Sequence, residues 1–127
     1  MIGILIITHG TLGEALVQCL GHVMNRRPPQ LMQLGISGQD DPLDVLPLAR
    51  RLVELVDSGD GVLILTDILG ATPANTAARL LEPGRVEGIA GVNVPMLLRA
   101  LTYRGQGMEV LLKKTVAGVC EGVVRMK

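Results

Sequence analysis

Aromatic side chains are almost missing from this sequence: there is no Trp, no Phe and a single Tyr, Tyr103. Bases and sugar rings are usually held by stacking on such groups, so composition argues against a direct sugar pocket or a single-stranded nucleic-acid platform. An excess of charge is missing too. Twelve Lys and Arg balance twelve Asp and Glu, leaving no global field to hold a phosphate backbone, and nucleic acid is not expected as a partner. Cysteine is scarce. Cys19 and Cys120 have neither the paired spacing of a zinc site nor the density of a disulfide framework, and read as two buried free thiols. No apolar run approaches the roughly 20 residues of a membrane span. The opening MIGILIITHG is too short for a signal core with a cleavage site and lacks a basic leader, so a cytoplasmic, non-embedded protein is expected. Neither a glycine-rich dinucleotide fingerprint nor a Walker sequence occurs, and Ser37 and Ser58 sit in no nucleophile elbow. With no cluster of ligand residues at metal-site spacing, neither a cofactor nor a metal is expected.

What is present is apolar. Of 127 residues, 48% are hydrophobic and only 19% charged, and the mean hydropathy of +0.42 points to strands buried on both faces within one compact domain, residues 1–127. Ile2 to Ile7 is an apolar run without polar alternation, the pattern of a central strand. From Thr11 to about Asn25, Leu12, Ala15, Leu16, Cys19, Leu20 and Val23 recur at helical spacing, and Pro28-Pro29 follows. Leu31 to Ile36 reads as a second strand, Ser37 to Pro42 as a turn with Asp40 and Asp41 solvated, and Leu43 to Val56 as a helix. Pro47 is placed in that helix's first turn, because an interior proline costs about 3 kcal/mol. Gly61 to Thr66 is a third buried strand. Thr72 is expected to cap a helix that runs from Pro73 to about Leu81. Val86 to Gly91 makes a fourth strand, Val94-Pro95 opens a helix to about Tyr103, and a last helix starts near Met108. Gly122 to Lys127 is left as a short terminal strand. Met24, Met32 and Met96 are expected in the core, and His22 at a helix surface or partly buried.

Strands alternating with helices imply an α/β, doubly wound, mainly parallel four-stranded sheet of flavodoxin-like order 2-1-3-4. Ligands bind such sheets at the carboxyl ends of the strands where the winding reverses, between strands one and three. His9 and Asp67 stand just past those two ends. Asp67 could bond one imidazole nitrogen of His9 and leave the other as a nucleophile. Thr72 and the amides around it would supply donors for a phosphate-like group. The arrangement suits phosphoryl transfer through a histidine.

Three blocks, ILIITHGTLGEAL, LTDILGATPANTAARLL and IAGVNVPMLLRAL, together resemble the mannose-family IIA component of the phosphoenolpyruvate-dependent sugar phosphotransferase system. This resemblance implies that His9 is phosphorylated on Nε2 by phospho-HPr and passes the group to a IIB component or, as a regulatory signal, to another protein. It implies that Asp67 orients the imidazole and that Gly10, Thr11, Gly70, Ala71 and Thr72 surround the phosphate. It further implies a homodimer exchanging a C-terminal antiparallel strand, here residues 122–127, and peripheral association with a IIC/IID permease. The alternatives are a regulatory binding module read out by phosphorylation state and the dihydroxyacetone-kinase phosphotransfer subunit. Two departures stand out. Ala71 replaces a common Gly, which would strain a positive φ, and Ala74 replaces a bulkier, often aromatic residue beside the partner-docking surface.

Overall fold

A computed structural model describes all 127 residues. Nine elements follow one another: β1 (Gly3–His9), α1 (Leu12–Val23), β2 (Leu31–Ile36), α2 (Pro42–Val56), β3 (Val62–Thr66), α3 (Thr72–Ala78), β4 (Val86–Ala90), α4 (Val94–Tyr103) and α5 (Met108–Glu121). The four strands form one sheet of order β2-β1-β3-β4, parallel throughout, as expected. No helix is long and apolar enough to cross a membrane.

Burial of β1 and β3 on both faces explains their unbroken apolar runs. Ile2, Ile4 and Ile6 with Leu63 and Leu65 pack beneath α1, α4 and α5. Leu5 and Ile7 with Val62 and Ile64 face the opposite way, against α2 and α3. Full burial of a side chain of this size contributes about 1.5–3 kcal/mol, so the two central strands anchor both helical layers at once.

Several local expectations change. The buried stripe of α1 is Gly13, Leu16, Val17 and Leu20, so Leu12, Ala15, Cys19 and Val23 face solvent. Gly13 turns this face inward because a Cβ there would come within 3.0 Å of both Gln33 Oε1 and Thr8 Oγ1. Cys19 and Cys120 are consequently exposed rather than buried, each off its helix's buried stripe. Met96 lies in the core, whereas Met24 and Met32 only pack partly buried against it. Of the two placements expected for His22, the exposed helix surface is the one observed.

Helix ends differ as well. Thr11 precedes α1 but makes no capping bond; the buried hydroxyl of Thr8 accepts from the Gly13 amide instead, at 2.8 Å. Asp41 caps α2 by accepting from the Leu43 amide at 2.9 Å, and Pro42 takes the first helical position. Pro47 therefore lies inside the helix, beyond its first turn. The carbonyl that a residue-47 amide would have engaged belongs to Leu43, an exposed residue, where water can serve it. Thr72 is the first residue of α3 rather than its cap, which is Ala71, and α3 ends at Ala78. Residues 123–127 form no strand within the single chain, and Val123, Val124 and Met126 are exposed.

Glycines fix the sheet's depth against its loops. A Cβ on Gly35 would collide with the carbonyl oxygen of Gly10, at the turn that carries His9 out of β1. Gly35→Ala is expected to lower stability by about 1–3 kcal/mol in urea unfolding. Gly38→Ala, where a Cβ meets nothing within 4 Å, should stay within about 0.5 kcal/mol of wild type.

Candidate functional site

Register brings the site together. β1 and β3 run in parallel with Ile7 opposite Thr66, so both chains leave the sheet side by side. His9 is the last residue of β1, and Asp67 is the first residue past β3. Beyond His9, Gly10 turns at φ +53° and its amide donates to the Ile36 carbonyl at 2.9 Å. This bond ties the loop to the end of β2.

Asp67 is the hub of the site. Its Oδ2 accepts from the His9 amide at 3.0 Å and meets the His9 Nδ1 at 2.7 Å, while Oδ1 accepts from the Ile68 amide at 3.0 Å. Partial burial opposes ionisation of this carboxyl, but the bonds from the His9 amide, the His9 ring and the Ile68 amide outweigh it and hold it below its ordinary value. An ionised carboxylate can only accept, so the hydrogen-bond network assigns the ring proton to Nδ1. In neutral His9, Nε2 then carries the lone pair. The His9 side chain is 53% exposed against 14% for Asp67, so the oriented ring is presented to solvent by a shielded carboxylate. A nucleophilic nitrogen of fixed tautomer is what this pair can supply.

The remaining expected residues lie on the two adjoining loops. Thr11 and Gly70 are exposed, Ala71 is half-buried and Thr72 exposed. Gly70 takes the left-handed turn at φ +88°, whereas Ala71 sits at φ −98°, so the Ala at that position carries no backbone strain. Ala74 is buried and presents no docking surface in the single chain. Gly10 cannot offer its amide outward, since Ile36 already holds it. The structure thus joins His9 and Asp67 directly, and places Thr11, Gly70, Ala71 and Thr72 at the same end of the sheet without a hydrogen bond to either. No three His, Cys, Asp or Glu side chains come together in a chelating arrangement.

Sequence reasoning missed Thr8, whose buried hydroxyl caps α1 behind His9; a Thr at the end of an apolar strand was the available signal. It also missed the exposed pair Ile68 and Leu69, whose place beside Asp67 was visible in the chain but whose exposure was not.

The lowered Asp67 value has a consequence for stability. Ionised Asp67 stabilises the folded state above the unfolded carboxyl value of about 3.9, and this contribution is lost as pH falls through the lower folded value. Between about pH 5 and about pH 2, wild type should therefore lose more stability in urea unfolding than Asp67→Asn. Equal losses would contradict the bonding described.

A family model described as the PTS system fructose IIA component matches residues 3–117. The mannose-specific EIIAB component of Escherichia coli K12 is 30% identical over 129 aligned positions, covering 99% of this chain but only 40% of that longer protein. The fructose-specific EIIA component of Bacillus subtilis is 30% identical over 105 positions, 82% of this chain and 71% of its own length. Among solved structures, the phosphotransferase system component EIIA from Streptococcus agalactiae superposes with a TM-score of 0.86 at 25% identity, covering 98% of this chain and 97% of that one. The mannose/sorbose-specific IIA subunit from Enterococcus faecalis shares the fold at a TM-score of 0.86 and 16% identity, over 99% and 95% of the two chains. With the family match running from β1 into α5, the chain belongs to the mannose-family IIA components of the phosphotransferase system.

Proposed function

We propose that His9 is a phosphoryl carrier, accepting the group on Nε2 from the phosphohistidine of phospho-HPr and passing it to a IIB component or a regulatory protein. The observation that carries this reading is the 2.7 Å contact between His9 Nδ1 and Asp67. In the forward step the Nε2 lone pair forms a bond to phosphorus as the donor's nitrogen–phosphorus bond breaks, and the departing imidazole keeps that electron pair. Nδ1 retains its proton throughout. A ring substituted at Nε2 and protonated at Nδ1 carries positive charge, which the shielded Asp67 carboxylate offsets at close range. Thr11, Gly70, Ala71 and Thr72 are the groups we assign to the phosphoryl oxygens, supported by their place on the two loops around His9. Gly10 contributes its turn and not its amide.

The wider setting is part of the same reading. Phosphoryl relay of this kind places the protein in the cytoplasm, peripheral to a IIC/IID permease where transport is served. The exposed tail with Val123, Val124 and Met126 is assigned as an antiparallel strand given to a second copy, where it would cover an otherwise open sheet edge.

The test is label transfer from phosphoenolpyruvate through enzyme I and HPr. Wild type is expected to acquire acid-labile phosphate and His9→Ala none, with the fold retained. Asp67→Asn should slow transfer on the order of 100-fold, since an amide cannot offset the charge on the phosphorylated ring. Failure of wild type to label, with the relay active on another IIA component, would overturn the reading.

A further inference from the structure

Arg104 is the only charged residue buried in the chain, 6% exposed, and it forms no salt bridge. It follows the last residue of α4, at the amino end of the sheet. Its carbonyl accepts from the Ile2 amide at 3.0 Å, which holds the residue against the start of β1. Of the guanidinium's five N–H donors, one is used within the chain: Nη1 donates to the Gln30 carbonyl at 3.3 Å. That oxygen is already shared, since it also accepts from the Ile4 amide. The remaining guanidinium nitrogens are not sealed from solvent.

A cavity of about 420 Å³ opens at this point, lined by Met1, Ile2, Asp60, Arg104, Gly105 and Gly107. Asp60 is the one carboxylate on its wall, and it is engaged by the Met1 amino group at 2.5 Å. Burial and, after it, the nearby charge of Arg26 pull the Arg104 guanidinium below the ordinary arginine value. Both effects describe a cation short of a counter-ion. Burying such a charge unpaired is costly, and a planar fork with free donors matches an oxyanion in geometry as well as sign.

We propose that the cavity over Arg104 binds a small oxyanion, a phosphate or carboxylate group, with the guanidinium as its principal contact. This site is separate from His9. Ile2 and His9 lie at opposite ends of β1, roughly 23 Å apart at the usual rise of a strand, so the two places can be read independently.

The experiment is an amide NMR titration of the intact chain with inorganic phosphate, and in a separate arm with acetate, at constant ionic strength. Saturable shifts at Ile2, Gly105 and Gly107 are expected with at least one of the two anions, and they should vanish in a folded Arg104→Met. Should Arg104→Met fail to fold, Arg104→Lys decides: a single ammonium lacks the planar fork, so about tenfold weaker binding supports the site, and unchanged binding overturns it. Saturable shifts that persist in folded Arg104→Met overturn it as well. So do shifts confined to His9, Gly10 and Thr11, which would place the anion at the phosphoryl site alone. Shifts at Gly105 and Gly107 that appear only in Asp60→Asn would mean that Asp60 closes on Arg104 in solution, which also overturns the proposal.

Discussion

Parallel pairing of β1 with β3, held between two helical layers, is the constraint on which the remainder of the molecule depends. Both strands are apolar on both faces, so alternation of polarity does not set their register as it would in a half-exposed sheet. Contact points do. Gly3 lies under the Val56 carbonyl and Gly35 under the Gly10 carbonyl, and neither place has room for a Cβ. Polar groups close the carboxyl ends: Thr8 caps α1, and the Thr66 carbonyl accepts from the Gly91 and Val92 amides, each at 2.9 Å.

From that register the site follows with little further adjustment. Adjacent parallel strands that start in register deliver His9 and Asp67 to the same end, where the His9 amide and ring both reach one carboxylate oxygen. Two bonds from one residue to one oxygen fix position and orientation together. The His9 ring is thus held by backbone geometry as much as by its own side-chain bond, which is how an exposed imidazole can keep one tautomer. At the opposite end, the start of β1 meets Gln30 just before β2 and Arg104 just after α4, giving a buried cation where the carboxyl end has a shielded anion.

Much of this was legible in the chain. The strands, their order, the amphipathic character of α1 and the candidate pair His9 and Asp67 all rest on apolar patterning and on residues directly adjoining strand ends. Asp41 and Asn93 cap α2 and α4 through bonds spanning two and three residues, roles that the expected solvated turn at Asp41 and the helix opening at Val94-Pro95 left unassigned. Errors gathered where a local rule met a tertiary neighbour. The stripe on α1 rotated because Gly13 had to sit against Thr8 and Gln33, and α3 began one residue earlier than a Thr cap at 72 would require.

By itself the sequence determined which segments are apolar enough to be buried, how they alternate, and which polar residues stand at strand ends, because these depend on spacing of a few residues. Tertiary structure alone decided the face each helix turns inward, the exposure of both cysteines, the engagement of the Gly10 amide by Ile36, and the burial of Arg104 without a salt bridge. Each of these is set by an approach between residues distant in sequence, and such an approach exists only once the sheet has closed its register.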